Sequence, residues 1–277
     1  MGGKYFISFD GAKIYYHKIL QDKNKWLIFL HGFGGDLTAW DKERVYFSQL
    51  GISSLAMDLR GHGLSQKSQT ADFYKVENFS QDVAGLIKAE KIMHPVIVGH
   101  CFGGMVALYF QAKFPNNSKG LVLVDTSFKP PFFSYNPIER VFLKHLFGLL
   151  KYIPNLHLDN RRDFDQFIGT NDIDIKRILS DILHTSLQSY LTICESLVDL
   201  NAKQLLDQIT VPTLVIEGET DSIFPPEIAR YLNQRIKKSE LDMIPNANHI
   251  LVINNPRDVE NAIEAFLKKI NFIPKVP

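Results

Sequence analysis

Short apolar runs alternate with longer amphipathic stretches along most of this chain. Residues 26–30, 53–57, 96–98, 121–124, 213–217 and 241–244 are brief, mostly aliphatic and rich in β-branched side chains. Runs of that length without polar alternation predict strands covered on both faces. Between them, Phe79, Val83, Leu86 and Ile87 recur at i, i+4, i+7 and i+8 and predict one apolar helix face; Val259, Ile263, Phe266 and Ile270 predict another near the C-terminus. Such strand–helix alternation predicts a parallel sheet with helices on both faces. The chain opens differently. Residues 5–9 and 14–19 flank Asp10-Gly11, a pair suited to the positive φ angles of a tight turn, which predicts an antiparallel hairpin.

The alternation stops between Val124 and Thr213, where no convincing strand occurs. Asn136 before Pro137 supplies a helix N-cap and first residue, and Ile138, Val141, Phe142, Leu146 and Leu149 then form a stripe. A second stripe carries Ile175, Ile178, Leu179, Ile182 and Leu183, and a third carries Leu187, Tyr190, Leu191, Cys194, Leu197 and Val198. The expectation is a core made of residues 1–126 and 206–277, interrupted by a helical cap subdomain at 127–205. Its stripe over residues 141–153 is expected to pack over the sheet in preference to lipid.

Composition narrows the class without choosing a chemistry. A chain of 277 residues with 45% apolar content can bury one such sheet. The formal net charge of +1 implies no polyanion partner, so Arg161-Arg162 and Lys237-Lys238 are expected to be solvated faces and no nucleic-acid patch. Two cysteines, Cys101 and Cys194, cannot build a disulfide scaffold. No run is long and apolar enough for a stable membrane insertion, and the first residues lack a signal-peptide pattern; the expectation is a soluble, cytoplasmic protein, with no particular oligomeric state implied. Metal spacings such as H-E-x-x-H are absent, and Gly32, Gly34 and Gly35 lack the remainder of a dinucleotide fingerprint, so neither a metal nor a cofactor is expected.

One segment carries sharper chemistry. Val96-Ile97-Val98-Gly99-His100-Cys101-Phe102-Gly103-Gly104 runs from a strand through a turn into a helix. It has the form of a nucleophile elbow, in which the central residue sits on a strained turn and small neighbours two positions away let strand and helix approach. Gly99 and Gly103 meet that demand, and the middle residue is Cys101 where serine is usual.

Here the chain resembles the α/β-hydrolase superfamily over nearly its whole length. His31-Gly32-Phe33-Gly34-Gly35 resembles the oxyanion loop, and Asp58-Leu59-Arg60-Gly61-His62-Gly63-Leu64-Ser65 the turn after the next strand. The segment from Gly218 to Pro225 resembles the loop bearing the acid, and Asn246-Ala247-Asn248-His249 the loop bearing the base. The resemblance implies an α/β-hydrolase fold with Cys101 as nucleophile, Asp221 as acid and His249 as base, in the family's chain order. It also implies oxyanion donors at Phe33 and Phe102. Glu217 and Glu219 are nearby alternative acids, and Asp125 stands where some members place theirs.

Cysteine at the elbow has consequences. A thiol paired with histidine can exist as a thiolate near neutral pH and is a strong nucleophile. It is also a good leaving group, which favours esters with good leaving groups, lactones and thioesters over amides. Dienelactone hydrolases and polyhydroxyalkanoate synthases resemble this chain in that one residue. Cys101 is thus read as a native nucleophile, with two alternatives: a serine enzyme altered to cysteine, or a relative that only binds ligand. The expected activity is cofactor-free hydrolysis of a small-molecule carboxylic ester through an acyl-enzyme; lactone, thioester or carbon–carbon bond hydrolysis and acyl transfer are variants on the same fold. A haloalkane dehalogenase or epoxide hydrolase is disfavoured, because those relatives place aspartate at the elbow. His100, Trp40, Phe128, Phe132, Phe133, Phe142 and Tyr190 are the expected lining of an apolar substrate pocket, with ordinary core packing as the alternative for each.

Overall fold

Eight strands form one sheet in the computed structural model, which describes residues 2–131, 136–150, 152–158 and 160–274. β1 (Lys4–Ile7) and β2 (Lys13–Ile19) make the expected hairpin. β3 (Trp26–Leu30), α1 (Asp41–Gln49), β4 (Ser53–Met57), α2 (Val76–Ala89), β5 (Val96–His100), α3 (Phe102–Lys113) and β6 (Gly120–Val124) then alternate. The insertion carries α4 (Pro137–Leu150), α5 (Ile175–Thr185) and α6 (Leu187–Leu197). The chain re-enters the sheet through β7 (Thr213–Gly218), α7 (Pro226–Arg235), β8 (Ser239–Ile244), α8 (Leu251–Asn254) and α9 (Pro256–Lys269). The order across the sheet is β1-β2-β4-β3-β5-β6-β7-β8; β2 runs antiparallel to its neighbours, and every pair from β4 to β8 is parallel.

The unbroken apolar runs are explained by two cores. On β3, Ile28 and Leu30 face a layer built with Phe79 and Val83 of α2 and Phe102, Val106 and Phe110 of α3. Leu27 and Phe29 face the opposite layer, with Phe47 of α1 and Val259, Ile263 and Phe266 of α9. Burying each such side chain contributes about 1.5–3 kcal/mol, enough to fix which strands lie in the middle. Because β4 and β5 flank β3 on opposite sides, the connections leaving β3 and β5 diverge. They open a crevice at the C-terminal strand ends, the usual place for a ligand in an open α/β sheet.

The insertion departs from expectation. α4 has no fully buried residue; Ile138 is 78% exposed, Phe142 64% and Leu149 71%, so its stripe does not pack over the sheet. The helix lies instead against α6, and Arg140 and Lys144 both pair with Asp199. Among the described residues no helix is long and apolar enough to cross a membrane.

Candidate active site

Cys101 lies between β5 and α3 with φ 52° and ψ −115°, a strained conformation for any residue but glycine. The surroundings hold it there. Its N–H donates to the Val124 carbonyl at 3.0 Å, and the Thr126 hydroxyl donates to its carbonyl at 2.5 Å. A Cβ at Gly103 would come within 2.3 Å of the Leu30 carbonyl oxygen, and one at Gly99 within 2.4 Å of the Gly103 oxygen. Only glycine lets α3 approach β3 this closely.

His249 and Asp221 meet beside this turn from loops after β8 and β7. The imidazole Nδ1–H donates to Asp221 Oδ2 at 2.7 Å, which leaves the other ring nitrogen for the Cys101 sulfur. Asp221 Oδ1 accepts the N–H groups of Ile223 and Phe224 at 2.6 and 2.8 Å. Burial alone would raise the Asp221 carboxyl, but these bonds and His249 hold it below its ordinary value. Burial alone would likewise lower His249; the negative charge of Cys101 and the bond to Asp221 outweigh it and raise the imidazole well above its ordinary value. The protonated form of His249 is thereby favoured.

The other expected residues divide. Among the described residues the Phe33 backbone N–H has no acceptor, and Phe102 opens α3, where a first-turn N–H has no intrahelical partner. The Phe33 ring lies tilted by 34° against Tyr190 of α6, with centroids 4.3 Å apart, and meets Phe102 edge-on at 6.3 Å, so these three rings do come together. His100 is buried; its Nε2–H donates to the His249 carbonyl at 2.9 Å, and burial pushes its pKa down to about 3, so it acts as a neutral spacer under the base loop. Trp40 is fully buried against Phe29, in the core layer shared with α1 and α9. Phe128 is buried against Tyr231 of α7, in the core rather than a pocket wall. Phe142 faces solvent, and Phe132 and Phe133 lie outside the described residues. Glu219 is exposed. Asp125 is buried near His249, but its oxygens accept the N–H groups of Gly218 and Leu251 at 2.9 and 3.3 Å, so it braces the acid and base loops.

Two sets of potential ligand atoms, His100–Asp125–His249 and Asp125–Glu217–Asp221, lie within 4.8 Å of one another. Most of these groups are engaged in the bonds just described, so the sets are knots of one polar network. Glu217 differs: no N–H or hydroxyl among the described residues donates to its buried carboxyl oxygens, and Asp221 lies within hydrogen-bond reach of the protonated carboxyl. Burial first, then the charges of Asp125 and Asp221, raise its pKa from 4.5 to about 11. Between those values the folded chain keeps a proton that the unfolded chain releases, so the site loses stability as pH rises. Glu217→Gln, neutral at every pH, should therefore gain about 1–3 kcal/mol over the parent at pH 8 and almost nothing below about pH 4. Urea unfolding at both pH values checks this; a variant no more stable at pH 8 would mean that Glu217 is ionised.

Sequence reasoning also missed a set of charged residues in the insertion. Arg161 and Arg162 are not a solvated pair. Arg161 reaches Asp58 at 2.9 Å; Arg162 is buried, pairs with Asp181 of α5, and donates to the Gly34 carbonyl of the loop after β3 at 3.1 Å. Asp172 is buried between the acid and base loops. Their spacing carries no local signal, because their partners lie far away in sequence.

A sheet of this order, an elbow after β5 and a hydrogen-bonded acid and base after β7 and β8 define an α/β-hydrolase, and so an enzyme of the hydrolase class. The sequence profile of the Hydrolase_4 family, described as serine aminopeptidase, S33, matches residues 21–256, and the chain belongs to that family. It is 25% identical over 246 residues to 3-oxoadipate enol-lactonase 2 of Acinetobacter baylyi, covering 88% of this chain and 89% of that one. It is 27% identical to the pimeloyl-[acyl-carrier protein] methyl ester esterase of Wigglesworthia glossinidia brevipalpis, covering 94% of this chain and all of the relative. A hydrolase of solved structure from Pseudomonas aeruginosa superposes with a TM-score of 0.77 at 20% identity, over 96% of this chain and 98% of that one, which shows the shared fold. The family description names serine, whereas this chain carries Cys101.

Proposed function

We propose that this chain hydrolyses small carboxylic esters, lactones included, through an acyl-thioester on Cys101. The observation that carries this reading is the strained Cys101 beside a His249 whose second nitrogen is held by Asp221. The thiolate sulfur attacks the ester carbonyl, forming a carbon–sulfur bond while the carbonyl electrons move to oxygen, where the Phe33 and Phe102 amides receive them. Collapse breaks the carbon–oxygen bond, and the alkoxide leaves with the proton of His249. Water, deprotonated by His249, then cleaves the thioester and releases the acid. An amine leaves a tetrahedral adduct less readily than the thiolate does, which favours esters over amides despite the family's peptidase description. The names of the lactonase and esterase relatives support the same choice. Phe33 and Tyr190 offer an aromatic wall for an apolar acyl or lactone group, and we assign residues 127–205 as the cap over it. Both cysteines are free, in keeping with a reducing cytoplasm.

A series of p-nitrophenyl esters of increasing acyl length, with Cys101→Ala as the blank, tests the reading. Turnover is expected to need Cys101. Cys101→Ser is expected to fold but to turn over about 100-fold more slowly, because the shorter carbon–oxygen bond misplaces the adduct by a fraction of an ångström to 1 Å relative to the oxyanion donors. A faster serine form would show that the site is built for serine. Ligand binding without turnover of any ester would make the chain a receptor.

A further inference from the structure

The segment between α4 and α5, together with α5 itself, touches all three loops of the candidate site. Arg162 donates to the Gly34 carbonyl in the loop after β3. Asn248 and Asn254 both donate to the Thr170 carbonyl, at 3.0 and 3.1 Å, and the Gly169 N–H donates to Asn254 Oδ1 at 2.7 Å. Asp172 completes the set. Its Oδ1 accepts the His249 N–H at 2.8 Å, and its Oδ2 accepts both the N–H and the hydroxyl of Ser222, at 2.8 and 2.7 Å. Ser222 follows Asp221 directly, so one buried carboxylate ties the backbone of the base to the neighbour of the acid. The Arg177 guanidinium in turn holds the Asp172 carbonyl, and it also pairs with Asp181, the partner of Arg162.

We infer that Asp172 is a positioning residue of the hydrolytic site, a carboxylate of the insertion that sets the acid and base loops in register so that the Asp221–His249 pair is complete only with the cap seated. The inference rests on the proposed roles of Cys101, Asp221 and His249. Three charge-assisted bonds converge on this one side chain, and each ends within one residue of the acid or at the base itself. Neither loop has another charged group of the insertion in that position among the described residues. A displacement of the pair on the order of 1 Å is enough to slow the chemistry about 100-fold without weakening substrate binding.

The test is a double-substitution cycle on the intact chain, with kcat and KM measured for one p-nitrophenyl ester in the parent, Asp172→Asn, Asp221→Asn and the double variant. Asparagine keeps the size of the side chain but turns an amide N–H₂ toward one of the two donor sets, so one side of the clamp is lost. Asp172→Asn is expected to lower kcat about 10- to 100-fold with KM changed less than about threefold, and to have little further effect once Asp221 is asparagine. Ser222→Ala, which removes only the hydroxyl donor, is expected to fall between the parent and Asp172→Asn. A merely structural Asp172 would lower kcat by the same factor in both backgrounds, or act through KM, and either result would overturn the inference. Should Asp172→Asn not fold, Ser222→Ala carries the same cycle with Asp221→Asn and decides by the same criterion. His249→Ala and Cys101→Ala run alongside: if they keep the parent's turnover, the assigned triad fails, whereas if they lose it and the cycle is additive, only the role of Asp172 does.

Discussion

Replacement of His249 by alanine is expected to lower kcat/KM for a p-nitrophenyl ester by about 10⁴-fold while leaving the fold intact. The imidazole lies against Cys101 on one side and is held by a carboxylate on the other, through the 2.7 Å bond to Asp221. On the proposed mechanism, its removal would take away the proton for the leaving alkoxide and the base for the deacylating water. If the proposed nucleophile, base and acid act as one unit, adding Cys101→Ala to His249→Ala should cost little more. Asp221→Asn is expected to be milder, about 10- to 100-fold, since with a preformed thiolate–imidazolium pair the acid mainly orients and stabilises the ring. Steady-state kinetics of these three variants and of Asp125→Asn check the set. A silent Asp221→Asn beside an inactive Asp125→Asn would transfer the role of acid to Asp125, against the geometry in which Asp125 is bonded to the Gly218 and Leu251 amides.

The largest effect on stability is expected from Asp82→Ala, a loss of about 3–5 kcal/mol read from the urea midpoint. Arg60 and Asp82 are both fully buried. The guanidinium is bidentate on Asp82, with Nε to Oδ2 at 2.7 Å and Nη2 to Oδ1 at 2.6 Å. It also reaches Asp10 at 2.9 Å and the Phe73 carbonyl at 2.9 Å, and lies 4.5 Å from the Phe73 ring centre. Alanine at 82 would strand a desolvated cation with the exposed Asp10 as its remaining counter-ion among the described residues. Removing both charges, as in Arg60→Met with Asp82→Leu, should lie closer to the parent, because the penalty comes from the unpaired charge and not from absence of the pair. A single variant within about 1 kcal/mol of the parent would mean that water reaches the guanidinium. The pair also bears on the site: Arg60 anchors the turn carrying His62, whose ring packs against Phe33 and Phe102, the residues whose amides face the proposed oxyanion.

Periodicity and local steric demands reach only as far as neighbouring residues, and what they specify was legible along the chain. The runs at 26–30 and 53–57 became β3 and β4 without change, and the run at 96–98 became β5 with two residues added before the elbow. Glycines at 99 and 103 around Cys101 announced the elbow because a Cβ at either position would strike backbone. The resemblance to the α/β-hydrolases picked out the loops carrying Asp221 and His249, and each does follow a strand, β7 and β8. The tertiary structure alone decided the rest. An amphipathic stripe states that a helix has an apolar face but not what covers it, which is why α4, resting on α6, leaves Ile138, Phe142 and Leu149 exposed. An aromatic residue reads the same whether it lines a pocket or fills a core, so Trp40 and Phe128 went to the core and Phe33 and Tyr190 to the site. Polar partners separated by tens of residues were the least legible. Asp172 lies 50 positions from Ser222 and 77 from His249, and Arg162 lies 128 from Gly34. Nothing in the local pattern distinguishes such residues from solvated charges; they become buried hydrogen-bond partners only when the packed sheet and the insertion bring their backbones together and exclude the water that would otherwise satisfy them.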